Sequence, residues 1–265
     1  AEHGLLFPID LGADPSIGGM VATNTGGTRL LRYGDVRQNL LGLEAVLADG
    51  TVLDLMRPLR KNNTGFDARQ LFVGTSGVFG VVTKAVMRVV PRPVQRVTAL
   101  VGLSSGPAIL GLLAHLEGQL GEVLTAFEAI GAAALTPVFR HQPRLRAPFG
   151  GRPPASAVLV ELSSTLDPSR LALDELLESA LAERLEAPDG AGITDVFPGR
   201  PSELWEIRHH VSESLRNEGE VLAFDISVPR SSMAAFVETA RETVAAGWPF
   251  VRFCDYGHWG DGGVH

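Results

Sequence analysis

From residue 95 onward, runs typical of buried strands alternate with stretches typical of helices, and this alternation constrains the fold more than any other feature. The strand-like runs are QRVTALVGL (95–103), VLTAFEAI (123–130), SAVLVELSS (156–164), VLAFDISVP (221–229) and FVRFCDYGH (250–258). Helix-like stretches lie between them, at 107–120, 131–140, 168–186, 202–218 and 230–246. This order predicts an α+β domain with helices on one face of a sheet. Asp167 before Pro168 predicts the start of the third helix.

A glycine-rich stretch precedes this region. Gly74, Gly77 and Gly80 fall three residues apart and lead into a β-branched run at 81–90, which predicts a strand. The stretch is neither a P-loop nor a Rossmann fingerprint, because no Lys-Ser/Thr pair closes it and no helix follows it. Glycines at the start of a strand indicate a sharp bend or the close approach of a flat ligand to the backbone. Simple turn formation remains the alternative.

Two more patterns lie near the N-terminus. The small residues of SIGGMVATNTGG (16–27) are typical of backbone packed against a ligand or a neighbouring loop. In LLGLEAVLADGTVLDL (40–55), two apolar runs flank Asp49-Gly50, which predicts a hairpin. Prolines at 91 and 93 end this region, so we expect two domains, at 1–93 and 94–265.

Composition excludes several classes of protein. A net charge of -7 argues against a basic nucleic-acid-binding surface. One cysteine, Cys254, allows no internal disulfide framework and is compatible with a reducing cytoplasm. No uninterrupted apolar stretch approaches 18 residues, and the N-terminus lacks the pattern of a signal peptide. Both ends look cut, so we expect a piece of a longer protein.

Five stretches of the sequence together resemble a known family. The stretches FPIDLGADPSIGGMVATNTGG and KNNTGFDARQLFVGTSGVFGVVTKAVMRVVP, with LWEIRHHVSESL, FDISVPRSSM and GHWGDGGVH, occur in the order of the vanillyl-alcohol oxidase superfamily. The particular branch comprises the D-lactate, glycolate and D-2-hydroxyglutarate dehydrogenases. The resemblance implies an α+β chain: the second part of a VAO/PCMH-type FAD-binding domain, then a ferredoxin-like cap domain, truncated at its C-terminus.

The resemblance also assigns cofactor contacts. It implies FAD, held by backbone of two loops that face the flavin, while the pyrophosphate loop precedes residue 1. The matching positions are Gly18, Gly19, Ala22, Thr23, Asn24, Gly26, Gly27, Gly77, Gly80, Val81 and Val82.

Four residues of the second domain match the family's catalytic site. His258 and His265 match ligands of a divalent metal such as zinc, with the third ligand and the base expected beyond residue 265. Arg208 matches an arginine that binds the substrate carboxylate, and Ser212 a nearby hydroxyl position. From the residues alone, an ordinary histidine pair and a surface arginine remain alternatives. Ala223 stands where the D-2-hydroxyglutarate branch has a lysine, which argues against a dicarboxylate held by that contact.

The resemblance implies FAD-dependent oxidation of a D-2-hydroxy acid to the 2-oxo acid. The expected partners are a small 2-hydroxy-acid substrate and an electron acceptor (a quinone, cytochrome or flavoprotein), with no nucleic acid; a homodimer is compatible with the family. We expect a cytoplasmic protein; peripheral attachment to a membrane is the alternative. The alternatives are a flavin-dependent transferase resembling alkyl-glycerone-phosphate synthase, and an inactive folded fragment.

Overall fold

The chain forms two compact units, residues 1–92 and 93–265, each with its own hydrophobic core. We call them the N-terminal and C-terminal units. The structure is a computed structural model that describes residues 3–11, 14–57, 59 and 61–265.

The N-terminal unit contains short helices around a small antiparallel sheet. Its strands are β1 (Leu5–Leu6), β2 (Leu40–Val46), β3 (Val52–Leu55), β4 (Val81–Met87) and β5 (Val90–Pro91), and its helices are α1 (Ile17–Thr23), α2 (Leu30–Tyr33) and α3 (Val36–Asn39), with a 3-10 turn at Ala68–Leu71. The sheet has the order β3-β2-β4, and β1 pairs separately with β5. Buried residues of α1, α3 and β2 form the core.

The predicted hairpin and strand of this unit are confirmed. Gly50, with φ 85°, forms the turn between β2 and β3, where Leu47 N–H donates to the Thr51 carbonyl at 2.9 Å. The run after the glycines forms β4. The stretch 16–27 forms α1 and the turns after it: Ser16 caps the helix by accepting the Gly19 N–H, and Asn24 ends it with φ 51°.

The C-terminal unit is larger and is organised around a longer sheet. Its strands are β6 (Gln95–Leu103), β7 (Leu124–Gly131), β8 (Ser156–Ser164), β9 (Ile193–Gly199), β10 (Ile226–Ser227), β11 (Tyr256–Gly257) and β12 (Gly263–Val264). Its helices are α4 (Gly106–Leu120), α5 (Ala132–His141), α6 (Leu173–Leu185), α7 (Pro201–His209), α8 (Val211–Arg216) and α9 (Met233–Gly247), with 3-10 turns at Phe149–Gly151, Pro188–Gly192 and Arg230–Ser232.

The topology of this sheet confirms the ferredoxin-like prediction. The strand order is β11-β7-β8-β6-β9, and all pairs are antiparallel. With α5 inserted between β7 and β8, the elements β6-α4-β7-α5-β8-α6-β9 form the β-α-β-β-α-β motif, whose outer strands β9 and β7 lie beside β6 and β8. Strand β11 extends the sheet beyond β7.

The expectation of helices on one face of the sheet is wrong. Strand β8 is buried at all nine positions. Its residues Ala157 and Leu159 pack in one core with side chains from α5, α7 and α8, whereas α4 and α6 also pack against the sheet. Because successive side chains point to opposite faces, burial at every position requires cover on both. The unbroken apolar run in SAVLVEL is the signal for this arrangement.

Several element boundaries also differ from the sequence prediction. The third helix starts at Leu173, because Asp167 accepts the Ser169 N–H in a turn instead of capping the helix. The expected helix 202–218 is two helices, interrupted at His210. Strand β9 was missed, since polar residues and Pro198 obscure this edge strand.

The last two predicted strands are mostly irregular. Only Ile226–Ser227 of 221–229 and Tyr256–Gly257 of 250–258 form strand. Leu222 and Phe224 remain largely exposed, so an apolar run here does not mark a buried strand. Within the described part of the chain, the structure contains no helix long and apolar enough to cross a membrane.

Glu218, just after α8, connects three segments of the C-terminal unit. Its carboxylate accepts hydrogen bonds from Arg140, His141 and Arg252, at 2.7, 2.7 and 3.0 Å. The hydrogen bond from His141, followed by those from Arg140 and Arg252, lowers the pKa of Glu218 to about 2 from its ordinary value of 4.5. A lowered carboxyl pKa stabilises the fold above the ordinary pKa, and this contribution is lost as the pH falls toward the folded value.

We therefore predict that Glu218→Gln lowers the melting temperature at pH 6 and that this deficit shrinks between about pH 4.5 and pH 3. Circular dichroism melts of both proteins across this range provide the measurement. Glu238→Gln is the matched control, because Glu238 is an exposed carboxylate that pairs with Arg241 one helical turn away. A Glu218→Gln deficit that stays constant from pH 6 to pH 3 would contradict the prediction.

Candidate functional site

A buried carboxylate on β7 lies at the centre of the candidate site. Glu128 is 1% exposed, and both of its oxygens accept hydrogen bonds. Arg208 donates its Nε–H to Oε2 at 2.7 Å, and His258 donates its Nδ1–H to Oε1 at 2.6 Å. One carboxylate thus joins helix α7 to the loop after β11.

Helix α7 is fixed on the sheet at two points. Trp205 and Arg208, three residues apart, lie on the same side of the helix. Trp205 donates its indole N–H to Glu161 on β8 at 2.7 Å, while Arg208 reaches Glu128 on β7. Since Glu161 is paired with Ala126, the two carboxylates lie on the same face of neighbouring strands. The position of the Arg208 guanidinium is therefore set by the core.

A tight turn brings the two predicted histidines together. The His258 carbonyl accepts N–H groups from Asp261, Gly262 and Gly263 at 3.0–3.1 Å. Backbone bonds then join His265 to Tyr256, at 2.8 and 3.2 Å. Asp261 shapes the turn by accepting the Gly263 N–H.

Gly257 allows the close approach of the His265 ring to the backbone. It has a φ of 126°, and a Cβ at this position would lie 2.8 Å from His265 Cδ2. Any larger residue would displace the ring or strain the backbone. The imidazole centroids of His258 and His265 are 5.2 Å apart, in an edge-to-face arrangement.

Each imidazole directs its Nδ1 atom at a carboxylate. His258 Nδ1 meets Glu128, and His265 Nδ1 contacts the carboxylate of Asp225. Metal-binding histidines commonly make this contact, which fixes the ring and leaves Nε2 free to bind the ion. Neither Nε2 atom has a hydrogen-bond partner among the described residues. This donor set fits two nitrogen ligands of a transition metal.

The two histidines differ in their electrostatics. Burial acts to lower the pKa of His258, but the hydrogen bond and the negative charge of Glu128 outweigh it, so the pKa is raised. For His265, burial dominates over Asp225, and the pKa is lowered. Because a metal ion binds a neutral imidazole, these opposite shifts make proton loss easier at His265 than at His258.

Arg208 has unused hydrogen-bonding capacity. Only its Nε group donates to the protein, and within the described residues its terminal nitrogens have no acceptor. The guanidinium lies over the Tyr256 ring, 5.1 Å from the centroid. The same ring is 5.0 Å from that of His265. Two parallel N–H groups in this position are suited to bind a carboxylate.

The structure therefore brings Arg208, His258 and His265 into one cluster. Ser212 joins it through Tyr256, whose hydroxyl is 2.8 Å from Ser212 Oγ. The neighbours of Arg208 in sequence take other positions: His209 stacks on Trp205, and His210 hydrogen-bonds the Glu206 carbonyl. Among the described residues, no group of three or more His, Cys, Asp and Glu side chains is arranged to hold a metal. The candidate ligands from these residues are therefore the two imidazoles of His258 and His265.

The residues predicted to face FAD lie together in the N-terminal unit. Gly74 N–H donates to the Val21 carbonyl at 3.0 Å, and Ser76 N–H to that of Ala22 at 2.8 Å, so the second loop packs on α1. Residues 18, 19, 22 and 23 lie in α1, which Asn24 ends by donating its backbone N–H to the carbonyls of Met20 and Val21, while its side chain donates to Asp35. The two stretches expected around one flavin thus form one surface.

These glycines do not all serve the same purpose. A Cβ on Gly27 would lie 2.6 Å from the Asp10 carbonyl oxygen, and one on Gly26 would meet Leu30, so both glycines have structural reasons. A Cβ on Gly18 would lie 3.1 Å from the Val82 carbonyl oxygen, so Gly18 packs on β4. A Cβ on Gly80 would clash with the Val46 carbonyl oxygen at 2.7 Å. At Gly77, with φ 81°, a Cβ would have only an ordinary contact, 3.8 Å from the Gly80 carbonyl oxygen.

The surface around Gly77 fits a flat, largely apolar ring. Val78, Phe79 and Val81 are 78%, 56% and 68% exposed, although they are apolar. Exposed apolar clusters of this kind mark binding surfaces. The backbone at Gly77 can be approached closely because it carries no side chain. These features fit the isoalloxazine ring of FAD.

Sequence reasoning missed three residues of the site: Glu128, Tyr256 and Asp225. Glu128 left a signal, since it is the single charged residue in the apolar run VLTAFEAI. A carboxylate in a buried strand needs a partner, and this requirement points to a functional or structural cluster. Tyr256 and Asp225 gave no comparable signal, because their roles depend on the turn between residues 258 and 265.

Comparisons with known proteins agree with this organisation. A family model for the C-terminal domain of FAD linked oxidases matches residues 92–265, and one for an FAD binding domain matches residues 1–56. Among solved structures, alkyldihydroxyacetonephosphate synthase superposes with a TM-score of 0.65 at 15% identity, over 99% of this chain and 50% of that one. At this identity the likeness shows the fold alone.

Several curated relatives are more similar in sequence. The mitochondrial D-2-hydroxyglutarate dehydrogenase of Rattus norvegicus is 38% identical over 100% of this chain and 48% of its own length. The Arabidopsis thaliana enzyme of that name is 34% identical over 99% of this chain and 46% of its own length. A putative mitochondrial D-lactate dehydrogenase of Schizosaccharomyces pombe is 34% identical over 100% of this chain and 52% of its own length.

The chain spans about half the length of the curated relatives it matches. The match to the C-terminal domain model covers more than half of the chain, with the FAD binding domain model matching before it. The chain therefore belongs to the family of FAD linked oxidases.

Proposed function

We propose that this chain is part of an FAD-dependent enzyme that oxidises a D-2-hydroxy acid to the corresponding 2-oxo acid. One observation carries the proposal: the open guanidinium edge of Arg208 lies in one cluster with two imidazoles that have free Nε2 atoms. A 2-hydroxy acid has a carboxylate and a hydroxyl on adjacent carbons. The cluster offers a partner for each of these groups.

The named relatives support the same reaction class. Those at 34–38% identity are called D-2-hydroxyglutarate or D-lactate dehydrogenases, and both names describe 2-hydroxy acids. The N-terminal unit is proposed to be the C-terminal part of a PCMH-type FAD-binding domain. The C-terminal unit is proposed to be the cap domain that binds the substrate.

The protein's own residues would bind and orient the substrate. The two terminal nitrogens of Arg208 would hold both carboxylate oxygens, while Glu128 prevents the guanidinium from turning away. The hydroxyls of Ser212 and Tyr256, already hydrogen-bonded to each other, would line the same side of the site. This arrangement would direct the hydroxyl of the substrate toward His258 and His265.

Bound FAD would supply the two-electron oxidation, and a divalent metal such as zinc would act as a Lewis acid on the hydroxyl. FAD would be held at the loops that contain Gly18, Gly19, Ala22, Thr23, Asn24, Gly26, Gly27, Gly77, Gly80, Val81 and Val82. His258 and His265 would hold the metal through Nε2. The third metal ligand and the base are proposed to lie beyond residue 265, as the chain spans about half the length of its curated relatives.

The identity of the substrate is the finer part of the proposal. Lactate-, glycolate- and 2-hydroxyglutarate-like acids all carry the carboxylate that Arg208 would bind. Ala223 offers no charge for a second carboxylate, which favours a monocarboxylate unless another cation takes that role. A quinone, cytochrome or flavoprotein would accept the electrons. The prediction of a reducing compartment rests on Cys254, while the relatives named above are mitochondrial.

A transferase resembling alkyldihydroxyacetonephosphate synthase is the alternative. Its support is the likeness of fold at 15–16% identity. The relatives at more than twice this identity favour the dehydrogenase.

The proposed reaction predicts that the full-length protein binds FAD and that a D-2-hydroxy acid reduces it without oxygen. The measurement is the loss of flavin absorbance near 450 nm on addition of D-lactate, glycolate or D-2-hydroxyglutarate, since reduced flavin absorbs weakly there. L-enantiomers serve as the control for the chiral acids. A flavin that none of these acids reduces would contradict the proposal.

The carboxylate clamp predicts that Arg208→Lys lowers kcat/KM at least about tenfold, equivalent to about 1.4 kcal/mol. Lysine keeps the charge but cannot donate two parallel N–H groups, and it lacks the Nε–H that Glu128 accepts. Steady-state kinetics on the best substrate provide the measurement. Arg216→Lys, an exposed arginine at the end of α8, is the matched control. Kinetics unchanged by Arg208→Lys would remove Arg208 from the site.

The histidine pair predicts that the full-length protein contains a divalent metal and loses activity with a chelator. Residues 1–265 alone should hold no stoichiometric metal, because two neutral imidazoles bind a divalent ion weakly and closed sites have at least three protein ligands. Elemental analysis of both purified proteins tests this difference. Stoichiometric metal in residues 1–265 would refute the two-ligand argument, and an active, metal-free full-length protein would refute the metal site.

A further inference from the structure

We propose that Glu128 is the positioning residue of the site, which sets the substrate-binding arginine and the metal-binding histidine at the same time. The proposal rests on the proposed function for the roles of Arg208 and His258. It goes beyond that function by assigning a role to a residue that neither binds substrate nor metal. The contacts of Glu128 carry the argument.

The geometry of the two hydrogen bonds is selective. Glu128 takes the Nε–H of Arg208 and so leaves the edge formed by the two terminal nitrogens free for a substrate carboxylate. It takes the Nδ1–H of His258 and so fixes the tautomer in which Nε2 carries the lone pair when the ring is neutral. Each contact uses the atom that the proposed chemistry does not need. A contact with the terminal nitrogens of Arg208 would block the substrate carboxylate, and a contact with Nε2 of His258 would block the metal.

The burial of Glu128 makes this arrangement rigid. The carboxylate is 1% exposed on a strand that is buried at every position. Its two oxygens accept hydrogen bonds from Arg208 and His258, the two groups that compensate its charge, and an unpaired charge inside a protein is costly. Neither partner can move away without leaving this charge exposed to the core.

The other histidine shows what is particular about Glu128. Asp225, which contacts His265, is an exposed side chain and touches one partner. Glu128 is buried and joins two elements, α7 and the loop after β11. A displacement of either element would therefore change the positions of both Arg208 and His258.

Glu128→Gln tests this role, because an amide has one acceptor oxygen where the carboxylate has two. Its NH2 group must then face either Arg208 or His258, both of which are donors in the native arrangement. Facing His258, it forces the proton onto Nε2 and removes the lone pair that a metal needs. Facing Arg208, it pushes the guanidinium out of place. Either metal binding by His258 or carboxylate binding by Arg208 must therefore weaken.

The experiment compares Glu128→Gln with Glu218→Gln in the full-length protein. Glu218 is the control, since its carboxylate also joins distant segments of the C-terminal unit, but through Arg140, His141 and Arg252, which lie outside the proposed cluster. Zn²⁺ affinity is measured by competition with a chromophoric chelator, and KM and kcat are measured on the best D-2-hydroxy acid. For Glu128→Gln we expect Zn²⁺ affinity to fall about 10- to 100-fold or KM to rise at least about tenfold. The control should change neither by more than about twofold.

Glu128→Asp keeps the experiment decisive if the glutamine variant does not fold. Its shorter side chain retains the charge but cannot reach both donors, so it should lose Zn²⁺ affinity or raise KM in the same way. A folded Glu128 variant with both quantities within about twofold of the wild type overturns the positioning role. Equal losses in Glu218→Gln overturn it as well, because they would reveal a general effect on the fold. A wild-type protein that neither binds Zn²⁺ nor oxidises any D-2-hydroxy acid contradicts the proposed function itself, and the role of Glu128 falls with it.

Discussion

The shared carboxylate of Glu128 is the interaction on which the rest of the candidate site depends. Arg208 and His258 are 50 residues apart in sequence, yet they meet the two oxygens of one buried side chain. Because the charge on Glu128 cannot be solvated in the sheet, helix α7 and the loop after β11 must both reach it. The packing of α7 through Trp205 and the tight turn at residues 258–265 make this geometry available.

Three strands of the ferredoxin-like core, β6, β7 and β8, could be predicted from their apolar runs, whereas the ferredoxin-like topology came from the resemblance to a family. Strands β6 and β8 begin and end at the residues expected from their apolar runs. Prediction was wrong where the environment decides the structure. The run at 221–229 has the composition of a strand, but its apolar side chains are mostly exposed and only two of its residues pair. The edge strand β9 is the opposite case: its polar residues do not predict a strand, yet it pairs with β6.

The site was predictable in its parts but not in its organisation. Arg208, His258 and His265 came from the resemblance to a family. The residue that joins Arg208 to His258 in the structure is Glu128, which the sequence analysis did not identify. Glu128 was passed over, although an acid inside an apolar strand calls for an explanation. Its partners come from distant segments, and pairing of this kind becomes visible in a three-dimensional structure.

The glycines of the N-terminal unit illustrate the same limit. Their clustering suggested the approach of a ligand, but the structure separates glycines at which a Cβ would clash, such as Gly27 and Gly80, from Gly77, at which it would not. Gly27 must avoid the backbone of Asp10, whereas Gly77 lies beside exposed apolar side chains. A motif match treats these positions alike, because it carries no information about what surrounds each Cα.

The central claim is that Arg208 binds the carboxylate of a 2-hydroxy acid while Glu128 holds it and His258 in place. A crystal structure of the full-length protein with a 2-oxo acid product bound tests this claim most directly. The account predicts both terminal nitrogens of Arg208 within hydrogen-bond distance of the product carboxylate, roughly 2.7–2.9 Å, with the contacts of Glu128 retained. A product carboxylate bound elsewhere, with the terminal nitrogens of Arg208 directed at protein acceptors, would contradict it.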